Sequence, residues 1–275
     1  MARSKGTKVS IDFSSFAGVA IALGAILGGL ILEGGEVKDV AQVTGALIVL
    51  GGTLGAVMVT TPTATFIGAL KSLKHVFFQP VFMPRKVIEE IMVYATRARR
   101  NGIVSLEPDI ERVEDPFLRK ALSLGIDGTD LQELQQMMNL EMDAEERRRK
   151  AEAKVYESAG GYSPTIGIIG AVLGLIQVMK HLDQIEMVGH GIAVAFVATV
   201  YGVAAANIFF LPAGAKLKAR VEESTRMKEL MLDGVMSIVQ GLHPKVIERK
   251  LEAYLSDTPS ESGQVQRERA RAEAA

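Results

Sequence analysis

Thr199, Pro164 and Pro212 lie in long stretches of this sequence without a charged residue, where a hydroxyl or a missing backbone donor changes what an apolar helix can do. The Thr199 hydroxyl can meet a hydrated ion or the carboxylic acid of another chain, or bond back to the carbonyl one turn earlier on its own helix. Pro164 stands where an apolar stretch opens, an ordinary place for proline. Pro212 falls late inside one, where it frees a carbonyl and permits a kink, and so is the better candidate for a joint. The rest of the reactive inventory is thin. There is no cysteine, hence no disulfide, thiolate metal site or cysteine nucleophile. His75, His181, His190 and His243 have no helically spaced ligand partners, and no HExxH, GxSxG or GxxxxGK[ST] pattern occurs. The sequence predicts a protein that is not an enzyme and holds no metal or cofactor.

The elements that position these residues are set by where charge is missing. Asp, Glu, Lys and Arg are absent from 13–32, 40–70, 158–179 and 187–215, and 48% of the chain is apolar. A helix needs about 20 residues to cross a hydrocarbon core of roughly 30 Å, and a charge at its centre costs on the order of 3 kcal/mol. Four spanning helices are expected, at 13–32, 42–62, 162–180 and 189–211. The first follows Arg3, Lys5 and Lys8 as a secretory signal would, but its apolar run is longer and no small-residue cleavage pattern closes it, so it reads as a retained anchor.

The short loops 33–39 and 180–186 contain one basic residue each, so all but two of the 31 Lys and Arg lie at the N-terminus, in the central block or in the C-terminal tail. That asymmetry puts both termini in the cytoplasm. The 32 acidic residues nearly cancel the basic ones, which excludes a chain-wide nucleic-acid surface.

Residues 63–157 form the expected cytoplasmic domain. Val87, Ile91 and Tyr94, with Leu131, Leu134 and Met138, recur at three and four, the spacing of amphipathic helices. Thr129 and Gln132 read as a capping box after an Asp127-Gly128 turn, opening a helix that runs toward the membrane. Residues 212–256 again have helical spacing, interrupted near Gly241 to Pro244, and 257–275 is too polar to fold alone. The fold class is an all-α integral membrane protein: a cytoplasmic N-terminus at 1–12, four transmembrane helices, a helical cytoplasmic domain between helices two and three, and a long cytoplasmic C-terminal helix.

Within the spans, Gly24 and Gly28, Gly51 and Gly55, and Gly170 and Gly174 each form a small-xxx-small face for close helix approach. No Asp or Glu occupies the middle of any span, although ion translocation generally uses an ionisable carrier there. If ions cross, another chain must supply the carboxylate.

Two stretches resemble the MotA/PomA family, the membrane subunit of the bacterial flagellar stator: Ser158-Ala-Gly-Gly-Tyr-Ser-Pro164-Thr-Ile-Gly-Ile-Ile-Gly170, and Gly191-Ile-Ala-Val-Ala-Phe-Val-Ala-Thr199-Val-Tyr-Gly202 leading to Phe209-Phe-Leu-Pro212. The order of two helices, a cytoplasmic block and two more helices matches as well. The resemblance implies a homo-oligomeric ring, a pentamer, in the bacterial inner membrane around two copies of a MotB-like single-span partner that carries the ion-accepting aspartate. It further implies that Pro164 and Pro212 couple protonation of that aspartate to a conformational step, and that Thr199 is a channel-facing hydroxyl. The stretch from Ala95 to Glu107 resembles the segment facing the rotor protein FliG, with Arg99 and Glu107 matching the family's charges and Arg100 beside them. Sodium-driven relatives tend to have threonine seven residues after the first proline, where this chain has Ala171. One hydroxyl fewer is a poorer site for a dehydrated sodium, which favours transported protons, with Thr199, Thr165, backbone carbonyls or the partner left as routes to sodium selectivity.

The competing expectation is an ExbB/TolQ-type energiser of envelope transport, which generally has three spans. A passive scaffold or a substrate transporter is a further alternative, but four spans with no internal repeat and no polar pocket are thin for substrate translocation.

Overall fold

The computed structural model describes residues 9–80 and 83–256, so the tail expected at 257–275 and most of the N-terminal segment lie outside the described residues. Strand β1 (Val9–Ile11) pairs antiparallel with β2 (Phe78–Pro80), and this ladder is the only β-structure among the described residues. Everything else regular is helical. The helices are α1 (Phe13–Leu32), α2 (Val43–Ala46), α3 (Gly52–Thr60), α4 (Thr63–Ser72), α5 (Lys74–Phe77), α6 (Pro84–Asn101), α7 (Glu107–Ile110), α8 (Pro116–Ile126), α9 (Leu131–Lys180), α10 (Ile185–Ala204), α11 (Leu211–Val239) and α12 (Pro244–Ser256). Wider π-turns join α2 to α3 at Leu47–Gly51 and α10 to α11 at Ala205–Phe210. Among the described residues, four helical runs are long and apolar enough to cross a membrane: Phe13–Leu32, Val37–Thr60, and stretches within Leu131–Lys180 and Ile185–Val239.

The described residues form two compact units. One combines 9–80 with 147–220 and contains all four apolar stretches. In it α1 is apolar on every side and buries no residue against the rest of the chain. Val49, Thr53 and Val57 recur every four residues on the second span and are fully or almost fully buried. The chain then breaks at Pro62, and α4 is held to α9 by the Tyr156 hydroxyl, which donates to the Ala69 carbonyl at 2.7 Å. Burial and the nearby Glu152 carboxylate push the Tyr156 phenol up to about 12, so it remains a donor.

The other unit combines 83–146 with 221–256 around an apolar core that includes Ile91, Leu118, Leu134, Met138, Leu230 and Leu251. Two of its helix starts have a local cause. Pro84 occupies the first turn of α6, and the Asp115 carboxylate caps α8 by accepting from the N–H groups of Phe117 and Leu118 at 2.8 and 3.0 Å.

Two expectations need correction. The cap of α9 is Asp130, whose carboxylate accepts from the Gln132 N–H at 3.0 Å, and not Thr129 one residue earlier. Pro164 does not open a helix: α9 runs unbroken from Leu131 to Lys180, so Pro164 lies inside it and leaves the turn before it one donor short.

Candidate functional site

Small residues set the geometry where α9 meets α10. A Cβ built on Gly202 would lie 2.6 Å from the Ser163 carbonyl oxygen and 3.2 Å from the Pro164 Cα. One built on Gly167 would lie 2.9 Å from the Ala198 carbonyl oxygen and 3.4 Å from the Thr199 Cα, and one on Gly174 would meet the Ala195 backbone at 2.9 Å. Backbones this close leave no room for a methyl group, so the pairing tolerates no larger residue without separating the helices. Pro164 and Thr199 therefore border one seam. One turn before Pro164, Gly160 faces the Leu211 side chain, which brings the residue next to Pro212 to the same region.

The two threonine hydroxyls are satisfied locally, whereas the Ser163 hydroxyl, fully buried in the seam, has no hydrogen-bond partner among the described residues. Thr199, half-buried, donates to the Ala195 carbonyl at 3.3 Å, and the exposed Thr165 donates to Tyr162 at 2.8 Å. Ala171 is half-buried on the same helix as Thr165. Of the small-residue pairs, Gly170 and Gly174 meet α10, whereas Gly24, Gly28, Gly51 and Gly55 have nothing within 4 Å of a built Cβ. Their faces are open in the single chain.

Pro212 is the second residue of α11 and follows directly on the π-turn, in which the Leu211 N–H donates to the Ala206 carbonyl five residues back. A proline has no N–H to continue the ordinary ladder, so widening the preceding turn is one way to rehouse the carbonyls it strands.

The segment from Ala95 to Glu107 is not one helix. Gly102, with φ of +81°, ends α6 and turns the chain into a short 3-10 stretch at Ile103–Leu106. Arg99 and Arg100 occupy the exposed last turn of α6, while Glu107 opens α7 and is exposed. Arg99 Nη1 donates to the Gly241 carbonyl at 2.6 Å, so part of its donor capacity holds the turn between α11 and α12. Arg97 pairs with Asp109 and ties the two charged stretches together, a link that sequence spacing of 12 gave no reason to expect.

Residues 16–101 match the Motility protein A N-terminal model, and residues 109–230 match the model of the MotA/TolQ/ExbB proton channel family. Motility protein A of Bacillus subtilis is 36% identical over 253 residues, which span 89% of this chain and 91% of that protein. The chain belongs to the MotA family. Its structure is similar to that of MotAB from C. jejuni, with a TM-score of 0.86 and 32% identity over 90% of this chain and 98% of the other. It is also similar to the flagellar MotAB stator complex from Bacillus subtilis, with a TM-score of 0.82 and 36% identity over 89% and 96% of the two chains.

This MotA-family chain is accordingly a membrane-embedded stator subunit of the flagellar motor and not an enzyme. TolQ and ExbB enter through the broad family model, while Motility protein A of Bacillus subtilis matches along 89% of this chain, so the energiser reading is a distant relation. Two further contacts in the MotA-family subunit were not apparent from sequence. The Tyr201 hydroxyl bridges the Val40 carbonyl and the Gln42 N–H, pinning the start of α2 to α10. Asp12 gathers Lys216 and Arg220, which lie more than 200 residues away. Neither partner has a local sequence signal.

Proposed function

We propose that this subunit assembles as a pentameric ring around two copies of a MotB-like single-span partner, and that the partner's aspartate accepts protons crossing the membrane. The observation supporting this reading is the Pro164–Gly202–Thr199 seam in spans that contain no Asp or Glu: the chain has a tightly fitted, proline-bearing wall and no ion acceptor. An acid from a second chain, held against such a wall, loses a desolvation penalty of several kcal/mol when protonated. A change of that size can repopulate two packings separated by a few kcal/mol. Pro164 and Pro212 are the positions where α9 and α11 can yield, and Thr199 exchanges its internal hydrogen bond for one to the ion or the acid as the seam opens.

Ala171 offers no oxygen where a sodium site would use one, which favours protons. Thr165 and Thr199 are the hydroxyls available along the path. Arg99, Arg100 and Glu107 meet FliG on the rotor through exposed charges worth about 0–1 kcal/mol each, weak enough for repeated making and breaking. The ring sits in the inner membrane, with lipid against α1 and both termini in the cytoplasm.

The test is the swimming speed of a stator-deletion strain complemented by this chain and its partner, recorded against sodium concentration and against a protonophore. Collapse with the protonophore while a sodium gradient persists is the expected result. Speed that tracks sodium and survives the protonophore contradicts the proton assignment.

A further inference from the structure

We infer that Asp12 is a positioning residue for the joint at Pro212, fastening the first turns of α11 to the start of α1 so that bending is confined to the π-turn and proline between the fastened helix and α10. The inference rests on the reading of Pro212 as a joint.

Asp12 is 7% exposed, and its carboxylate accepts from Lys216 Nζ and Arg220 Nη2, each at 2.6 Å, and from the Ser14 hydroxyl at 2.5 Å. Its own backbone N–H donates to the Phe77 carbonyl at 2.9 Å, beside the β1–β2 ladder, so the carboxylate is held from behind as well. Lys216 and Arg220 follow Pro212 by four and eight residues, one and two helical turns, and so share its face of α11. A cation at either place alone would be an ordinary interfacial charge. Both converging on one buried carboxylate make a clamp that starts one turn past the proline.

Space lies on the other side of the clamp. An open pocket of about 330 Å³ is bounded by Ser15, Gly18 and Ala22 of α1 and by Asn207, Phe209 and Pro212 at the joint, with Lys216 at its edge. Gly18, Asn207 and Pro212 are exposed there, so the chain itself leaves this side of the proline and the π-turn open, with room for the joint to change shape. The clamp fixes one end of that movement. Without it, α11 can follow α10 as the joint flexes, and the change of shape at the seam is no longer converted into movement across the joint.

A role confined to capping α1, where Asp12 accepts from the Ser15 N–H at 3.3 Å, is separable, because Asn caps a helix as well as Asp but has no charge. The experiment uses the full subunit with its partner and compares D12N, D12E and the K216Q/R220Q double variant for membrane level, partner-dependent proton flux and swimming. The expected result is that D12N and K216Q/R220Q reach the membrane and conduct like the parent but lose swimming, and that D12E restores it. Swimming at the parental level in D12N, or parallel loss of flux and swimming, overturns the proposal. Failure of both D12N and K216Q/R220Q to accumulate also overturns it, because the node is then structural only. If the parent itself fails to restore swimming, the stator reading has failed and not the clamp.

Discussion

A hydroxyl inside a membrane helix either finds a partner on its own turn or recruits one from elsewhere, and Thr199 has the first option in hand. Its value to an ion is therefore the difference between two hydrogen bonds and not the rescue of an orphan. The prolines have no such substitute. We expect Pro164→Ala and Pro212→Ala each to reach normal membrane levels and to abolish swimming, because both restore a backbone donor and stiffen the joints proposed above; wild-type swimming in either variant removes the coupling role proposed for it. Arg99 separates charge from geometry. If it acts on the rotor by charge, R99K keeps swimming and R99E loses it, with partial recovery from a compensating rotor charge, whereas equal loss in R99K assigns the residue to holding Gly241. Asp12 also has a pH signature. Burial alone would raise its carboxyl, but hydrogen bonds from Lys216, Ser14 and the Ser15 N–H outweigh that and hold it well below its ordinary 3.8. The folded state thus binds this proton more weakly than the unfolded one, and the stabilisation is fully present above about pH 4 and lost as pH falls toward the depressed folded value. Thermal unfolding should show D12N losing less stability than the parent on acidification through that window, and equal losses would contradict the shift. The prolines and Thr199 were legible because type and an apolar neighbourhood mark them, whereas the Asp12 node was not, because the partners of a buried carboxylate are chosen by tertiary packing.

The helices were legible as spans because charge is excluded from lipid whatever the neighbours do. Their ends and internal irregularities depended on contacts. Thr129 and Asp130 are both good caps, and choosing between them takes the helix axis that α9 adopts in its packed unit. Pro164 looked like a helix start because its apolar stretch begins there, but the charged residues before it continue the same α9. The π-turn at Ala205–Phe210 has no composition of its own. Among glycines, the repeat identifies close approach without saying to what: Gly174 meets Ala195, while Gly24 faces open space. That difference yields a prediction at this scale. Gly202→Ala must displace the Ser163 carbonyl and should destabilise the purified subunit by about 1–3 kcal/mol, the usual range for overpacking. Gly24→Ala should leave it unchanged. Thermal unfolding of both in detergent is the measurement, and an undisturbed Gly202→Ala would mean that the seam is looser than its distances state.

For the molecule as a whole, the order of spans and polar block followed from charge distribution alone, and the family followed from two motifs. What sequence could not supply was which residues form a unit. The chain folds as two units that each draw on separated segments, 9–80 with 147–220 and 83–146 with 221–256, because α9 and α11 each contribute residues to both. The central claim at this scale is that the titrating acid belongs to another chain, since no Asp or Glu lies in the four charge-free stretches. Its most direct test is proton flux into liposomes containing either this subunit alone or the subunit with its single-span partner, under an imposed pH gradient and potential. No flux above that of empty liposomes is expected for the subunit alone, and flux with the partner should vanish when the partner's intramembrane aspartate becomes asparagine. Selective, robust conduction by the subunit alone would contradict the claim.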